Sequence, residues 1–262
     1  MSDRSDSDDV DFGPAAWWKD FALAAMFLTR LRPPIRESAG LAALKRASRM
    51  FAVVGLFVGL AGGIAYAIAI ELGFASWLAA TLAVGATILL TGGLHEDGLA
   101  DMADGFAGGS TRDEKLAIMR DNRIGSFGTL ALIFSVMLRV AALASLSDIG
   151  IVIAALIAGH AASRAAMTAV MHALPNARND GLSAGVGRPD RAAAIIGLAV
   201  AAIAALVLLQ GAGLLAIIIG AGAAAGIAWL ALRQIGGQTG DVLGATEQVA
   251  QAAFLAGLTL AI

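Results

Sequence analysis

The chain has 262 residues, 58% of them hydrophobic, and a net charge of −2 at neutral pH. Long uncharged apolar runs exclude a large soluble domain, and they are typical of an all-α, polytopic integral membrane protein. Because the sequence contains no cysteine, disulfides, thiolate catalysis and metal sites built on cysteine are excluded.

The N-terminal part of the chain differs from the rest. Residues 1–14 are polar and rich in aspartate, which predicts a disordered acidic tail and not a signal peptide, because a signal peptide begins with basic residues. A helix that is either interfacial or short and buried is expected over 15–29, and it ends before Pro33 and Pro34, which cannot continue it. Residues 15–262 are expected to form a single helical membrane domain.

Six to seven membrane spans are predicted after this helix, and the basic residues indicate their orientation. The spans are expected at residues 50–70, 75–94, 126–147, 149–172, 192–209 and 212–232, with a stretch at 246–262 that is either a seventh span or a re-entrant or interfacial segment. The connections at one end of the spans carry no Lys or Arg. The positive-inside rule therefore places the N-terminus and three polar, catalytic loops in the cytoplasm. These loops cover residues 95–125, 173–191 and 233–246.

The second predicted span is followed by the most informative motif, HEDGLADMADG at residues 95–105. On a helix, Asp97, Asp101 and Asp104 occupy positions i, i+4 and i+7, within about 60° of one another, and together they form what we call the acidic face. Glu96 points about 100° away and is left out of this set. Since no basic residue in the motif relieves the repulsion between the carboxylates, a divalent metal ion is the simplest counter-charge.

Arginines form the second group of candidates. Arg120 and Arg123 lie three residues apart, on one helical face, and a guanidinium matches phosphate oxygens well. Taken alone, the pair favours the alternative of membrane anchoring with headgroup contact. Ser163 and Arg164 lie inside the fourth predicted span, where Arg164 is a candidate phosphate ligand or a counter-ion to the acidic face. Arg139, deeper in the third span, is expected to pair within the bundle.

The last apolar segment opens on a third motif, GGQTGD at residues 236–241. Gly236 and Gly237 would let backbone N–H groups approach an anion at a helix start, and Asp241 would be a fourth metal carboxylate or a general base. The alternative is a helix N-cap, provided by Thr239 or Asp241. Acidic residues for a metal, arginines and a glycine turn together point to phosphoryl or nucleotidyl transfer.

These motifs occur in an order that resembles a known family. The matching residues are Gly92-Gly93-Leu94-His95, Asp97-Gly98-Leu99-Ala100-Asp101, Asp104-Gly105, Arg120-Asp121, Arg123, Gly125, Ser163-Arg164 and Gly236-Gly237-Gln238-Thr239-Gly240-Asp241. Their order and the hydropathy pattern resemble the cobalamin synthase family of adenosylcobinamide-GDP ribazoletransferases, over roughly residues 20–262.

The resemblance implies an activity, a cofactor and site residues. Adenosylcobinamide-GDP would react with α-ribazole or its 5′-phosphate and release GMP, in a late step of cobalamin biosynthesis at the bacterial cytoplasmic (inner) membrane. Carried over to matching positions, catalysis and Mg²⁺ binding fall to Asp97, Asp101, Asp104 and Asp241. Substrate or phosphate binding falls to Arg120, Arg123, Ser163, Arg164, Gly236, Gly237 and Thr239.

Two other functions were weighed against this one. A CDP-alcohol phosphotransferase of phospholipid synthesis should have an arginine soon after its first aspartate and two later aspartates four residues apart, but Asp101 and Asp104 are three apart. A membrane transporter should carry charges near the middle of several spans, and Arg139 and Arg164 are the candidates here. The lipid bilayer is an expected partner, a homo-oligomer is compatible with the sequence, and no nucleic acid is expected.

Overall fold

The computed structural model describes residues 13–34 and 40–262, and this part of the chain is almost entirely helical. Its helices are α1 (Pro14–Leu28), α2 (Ala43–Ala47), α3 (Phe51–Glu71), α4 (Ser76–Thr91), α5 (Leu94–Gly108), α6 (Arg112–Ile118), α7 (Ser126–Ser145), α8 (Ile149–Ala173), α9 (Leu182–Val186), α10 (Arg191–Ile235) and α11 (Gly240–Thr259), with a 3-10 turn at Ser48–Met50. These residues contain no β-strand, which confirms the all-α prediction. The predicted acidic tail lies outside the described residues except for its last two, and Pro14 already belongs to α1.

Four helices in the described part of the chain are long and apolar enough to cross a membrane. They are the continuous stretch of α2, the 3-10 turn and α3 (Ala43–Glu71), and the helices α7, α8 and α10. A fifth crossing is counted if α4 and α5 form one broken span, but these two helices are bent by 91° at the break between them. The chain therefore has the helices of a multi-pass membrane protein.

The longest helix, α10, is broken at Gln210, whose φ of 53° and ψ of −135° are not helical. A Cβ on Gly213 would overlap the carbonyl oxygen of Ala205, and Ala201 and Ile217 line the same cavity. Residues 201 and 217 of a straight helix would lie about 24 Å apart. The two arms of α10, before and after Gln210, therefore run side by side as two separate apolar segments.

Close backbone packing holds the centre of the bundle together. On α3, a Cβ on Gly55 or Gly59 would overlap the carbonyl oxygen of His160 or Leu156 on α8. Glycines at four-residue spacing allow two helices in a membrane to approach closely, because they present no side chain at the crossing. As a result α8 packs against α3, α10 and α11 and forms the middle of the bundle.

The first helix is tied to this bundle by a buried ion pair. Asp20 on α1 is fully buried, accepts hydrogen bonds from Arg46 Nε at 3.1 Å and lies 2.8 Å from Nε of Arg49. Leu23 and Leu28 of the same helix lie in one apolar core with residues of α3 and α8. One side of α1 therefore packs against the bundle, while Trp18 and Met26 remain exposed.

A pair of glycines turns the chain between α4 and α5. Gly92 and Gly93 both have left-handed φ angles, 70° and 72°, a conformation that costs glycine little and other residues more. The turn directs α5 away from α4, and α5 then packs against α11. The loop expected at 95–125 thus contains two helices, α5 and α6, and α5 belongs to the packed structure.

Candidate active site

Two glycines bring the acidic helix α5 against the start of α11. A Cβ on Gly98 would lie 2.9 Å from the carbonyl oxygen of Asp241, and a Cβ on Gly244 would lie 3.1 Å from that of His95. Side chains at these positions would force the two helices apart. The crossing places Asp97, which precedes Gly98, and Asp241 in the wall of one cavity.

The carboxylates expected from the sequence lie close enough to repel one another. Burial, followed by the charges of Asp97, Asp241 and Asp104, raises the pKa of Asp101 to about 7. The guanidinium of Arg178 acts in the opposite direction and does not offset this rise. The acidic face therefore carries negative charge that the nearby side chains do not balance.

Asp104 is engaged differently from the other three. It is buried, and its two oxygens accept hydrogen bonds from the backbone N–H groups of Gly125 (2.7 Å) and Gly128 (2.8 Å) at the start of α7. A Cβ on either glycine would collide with this carboxylate. In the structure this side chain therefore anchors the N-terminus of α7, where a negative charge is stabilised. Metal binding by Asp104 stays a prediction.

The acidic face offers carboxylate oxygens, which a metal ion such as Mg²⁺ prefers, but these carboxylates do not converge on one point. Among the described residues, no three His, Asp or Glu side chains converge closely enough to hold an ion. Mg²⁺ is nevertheless commonly bound through one or two carboxylates together with water and substrate phosphates. One or two of Asp97, Asp101 and Asp241, together with water and substrate phosphates, would hold it.

Two polar segments supply cations near this face: Arg178 lies between α8 and α9, and Arg120 and Arg123 lie between α6 and α7. Arg178 Nη2 donates to Asp241 at 3.5 Å, and Arg120 donates to Asp180 at 2.5 Å. Arg123 is bonded to Asp121 at 2.7 Å and is exposed. The sequence pattern identified Arg120 and Arg123 as candidates but did not identify Arg178. Its partner, Asp241, is 63 residues away, so no local pattern indicated it.

Two cavities meet at Asp97. The first is a polar cleft of about 850 Å³ including its open mouth, and its walls include Asp97, Asp101, Arg120 and Asn122. The second is an apolar cavity of about 700 Å³, again with its mouth, and Asp97 lies in its wall as well. The apolar cavity is enclosed by Phe27, Leu28, Phe51, Leu94, Met167, Met171, Val186 and Leu243, with His95, Ser183 and Asp241 as its further polar groups.

Ser163 and Arg164 do not reach either cavity. Both are almost completely buried, and both donate hydrogen bonds to Glu247 Oε1, Ser163 at 2.9 Å and Arg164 at 2.7 Å. The structure therefore places Ser163 and Arg164 in a buried cluster around the carboxylate of Glu247. Their contact with a substrate phosphate stays a prediction.

A second buried pair confirms two expectations. Arg139 donates to Glu96 at 3.2 Å, so Arg139 pairs within the bundle. Glu96 points away from the acidic face, as helical periodicity predicted. The side-chain amide of Gln248 donates to Glu96 and to Glu247, at 3.0 Å each, and thereby joins the two pairs into one network.

The glycine turn before α11 has a structural explanation. Gly236 ends α10 with a φ of 79°, and a Cβ on Gly237 would collide with the carbonyl oxygen of Pro175. Thr239 caps α11 by accepting from the backbone N–H of Val242 at 3.3 Å. The N-cap alternative is confirmed for Thr239, and the two glycines allow the turn and the close approach to the segment after α8.

Comparison with known proteins identifies the family and several relatives of this chain. The family described as cobalamin-5-phosphate synthase matches residues 20–259. A protein named adenosylcobinamide-GDP ribazoletransferase from Bradyrhizobium diazoefficiens is 47% identical over 237 residues, which cover 90% of this chain and 91% of that protein. Proteins of the same name from Mesorhizobium japonicum and Azorhizobium caulinodans are 46% and 43% identical, over 93% and 92% of this chain and 93% and 95% of theirs. No solved structure matches the chain at a significant level.

Proposed function

Because the chain belongs to the cobalamin-5-phosphate synthase family, we propose that it transfers adenosylcobinamide phosphate from adenosylcobinamide-GDP to α-ribazole or its 5′-phosphate. The reaction releases GMP and yields adenosylcobalamin or its 5′-phosphate. The chain is thus a transferase of cobalamin biosynthesis.

The observation that carries this proposal is the position of Asp97 between two cavities of opposite character. A transferase that joins two large molecules must hold both at once, with their reacting atoms at a shared point. The polar cleft suits a charged diphosphate, since Arg120 and Asn122 line it together with carboxylates. The apolar cavity leaves room for a second, less polar substrate.

The residues at this point fit the bond changes of the reaction. A hydroxyl oxygen of the nucleoside attacks the phosphorus nearer the corrinoid, the bond from that phosphorus to the bridging oxygen breaks, and GMP leaves with this oxygen. We assign acceptance of the hydroxyl proton to Asp97 or Asp241, and the support is that both line the apolar cavity. We assign binding of phosphate oxygens to Arg120, which lines the polar cleft.

Mg²⁺ is part of this proposal, held by one or two of Asp97, Asp101 and Asp241. When bound, it supplies positive charge that offsets the negative charge developing on the diphosphate. The support is the uncompensated charge of the acidic face, which is expressed in the raised pKa of Asp101.

We also propose six or seven crossings of the cytoplasmic membrane, with α1 near the interface and the acidic face of α5 towards the cytoplasm. The two side-by-side arms of α10 support two crossings where one continuous helix is formally present. The distribution of Lys and Arg supports the orientation. A reporter fused after Asp113 is expected to give a cytoplasmic signal, and a periplasmic signal would reverse the topology.

The test of the activity uses the full chain purified in detergent. With adenosylcobinamide-GDP, α-ribazole 5′-phosphate and Mg²⁺, we expect release of GMP in equal amounts with the joined corrinoid product. Omission of the nucleoside is the control and should leave only slow hydrolysis. Folded protein that releases no GMP with all three components present would refute the proposal.

A further inference from the structure

We propose that the apolar cavity between α1, α3, α5, α8, α9 and α11 binds the aromatic base of the nucleoside acceptor, and that His95 binds a hydroxyl of its ribose. This inference rests on the proposed function, because that function makes the nucleoside a substrate. It adds the place where the nucleoside lies and a residue that selects it.

The walls of the cavity suit a flat, apolar ring. Phe27 and Phe51 are stacked with their ring centroids 5.9 Å apart and their planes inclined by 15°, and both line the cavity. Met167 and Met171 line it from α8, and methionine adapts its shape and makes favourable contacts with aromatic rings. Val186 on α9 completes this part of the wall.

The polar groups of the cavity are few, and they include Asp97 and Asp241. A base held among the apolar side chains would therefore have its ribose directed towards the carboxylates, where the attacking hydroxyl is required. Ser183 is already engaged, since its hydroxyl donates to Gln238 Oε1 at 2.6 Å. The remaining polar side chain in the wall is His95.

His95 has a ring nitrogen available for a ligand. The residue is 2% exposed, and its Nδ1 lies 3.9 Å from Glu247 Oε2. Its Nε2 is buried without a hydrogen-bond partner among the described residues. Buried polar atoms are rarely left unpaired. His95 lines both the apolar cavity and a smaller polar cavity that it shares with His160 and Glu247, and we assign the unpaired nitrogen to the ligand of the apolar cavity. A ribose hydroxyl both donates and accepts, so it can bond to either tautomer.

The other parts of the two substrates fit this cavity less well. The corrinoid carries many amide groups and a wide macrocycle, and enclosing it among apolar side chains would leave those amides unpaired. The guanosine diphosphate group is charged, and the polar cleft with Arg120 offers it a counter-charge. The aromatic base of the nucleoside is the apolar part that remains.

The first experiment fills the cavity. Val186→Phe should raise KM for α-ribazole 5′-phosphate about tenfold or more, because steric mismatch of this kind changes binding by about that factor. KM for adenosylcobinamide-GDP should stay within about twofold. The matched control is Ala166→Leu, which fills a different apolar cavity, between α8 and α10, and should leave both constants unchanged.

The second experiment removes the unpaired nitrogen. His95→Phe should raise KM for the nucleoside about tenfold through loss of one hydrogen bond to a buried group. The control is His160→Phe: the Nε2 of His160 is also buried without a partner in the described residues, but His160 does not line the apolar cavity. An increase confined to His95→Phe supports a ligand contact, and equal increases in both variants would overturn it.

Direct binding separates this inference from the proposed function. Titration calorimetry of α-ribazole onto the full chain, without the second substrate, should give heat in the wild type and much less in Val186→Phe. That result supports the site whatever the turnover assay shows. A wild type that releases GMP while Val186→Phe changes only KM for adenosylcobinamide-GDP would overturn the inference and leave the function standing. A co-purified lipid chain that fills the cavity, with no binding of α-ribazole, would also overturn it.

Discussion

Glu96 and Asp97 are neighbours on α5, yet they belong to two regions with opposite electrostatics. In the buried region Glu96 accepts a hydrogen bond from Arg139 at 3.2 Å, and Glu247 accepts one from Arg164 at 2.7 Å. Asp97 faces the acidic region, where carboxylates outnumber the nearby cations. The buried region balances its charges within the chain, whereas the acidic region leaves negative charge for a ligand to balance.

The buried region also joins the helices that form the site. Glu96 lies on α5, Arg139 on α7, Arg164 on α8 and Glu247 on α11, and Gln248 bridges the two glutamates. Because α5 and α11 carry the acidic region as well, the network holds the helices that position it. Variants of the two regions should therefore differ in kind: the buried region should affect stability, and the acidic region should affect turnover.

The largest effect is expected from Asp97→Asn. Loss of this charge should reduce GMP release about a hundredfold or more, as removal of one electrostatic group at a reaction centre does. The melting temperature should stay near that of the wild type. Glu96→Gln is the matched control, and it should lower the melting temperature while the folded fraction still turns over. Full activity of Asp97→Asn would remove Asp97 from the site.

A large effect on stability is expected from Arg164→Met. The change leaves Glu247 buried without its arginine, which costs about 3–5 kcal/mol when a buried pair is broken. Thermal unfolding in detergent measures it. The double variant Arg164→Met/Glu247→Leu should recover much of the loss, because neither charge is then left unpaired. A single variant as stable as the wild type would show that the pair does not hold the bundle.

An intermediate effect is expected from Gly98→Ala, which changes the geometry between the two regions. The added methyl group would meet the backbone of Asp241 and Gly244 at 2.9–3.2 Å, so α5 and α11 must separate slightly. We expect kcat to fall about tenfold, because a small displacement of Asp97 relative to Asp241 misplaces the reacting groups. Gly85→Ala is the control, because a Cβ at Gly85 meets nothing within 4 Å. Equal rates for both variants would contradict the close crossing.

The smallest effect concerns pH. The raised pKa of Asp101, about 7, means that this carboxyl takes up a proton as the pH falls through neutrality, and a protonated carboxyl is a poor metal ligand. The apparent affinity for Mg²⁺ should therefore decrease by a few-fold as the pH falls from about 8 to about 6. Titrating GMP release against Mg²⁺ at several pH values measures it. A constant affinity over this range would argue against Asp101 as a ligand.

Part of the difference between the buried and the acidic region could be predicted from the sequence. The positions of Asp97 and Asp101 on one face, and of Glu96 on another, followed from the helical repeat alone. The pairing of Arg139 followed from the cost of a lone charge inside a span. These inferences needed only the residues near each position.

Contacts between distant segments were beyond such reasoning. Arg164 and Glu247 are 83 residues apart, so the sequence left Arg164 free for phosphate. Asp104 meets Gly125 and Gly128 only because α7 begins beside α5. The same holds for Arg178 and Asp241, whose pairing depends on how the segment after α8 folds back.

The shared wall at Asp97 has a kinetic consequence. Since the polar cleft and the apolar cavity meet only at this residue and its neighbours, filling one leaves the other accessible. Neither substrate has to depart before the other arrives, so both are present when the phosphorus is transferred directly between them. Initial rates measured against both substrates should then give intersecting reciprocal lines, the signature of a ternary complex, and no parallel lines of the kind that a covalent enzyme intermediate produces.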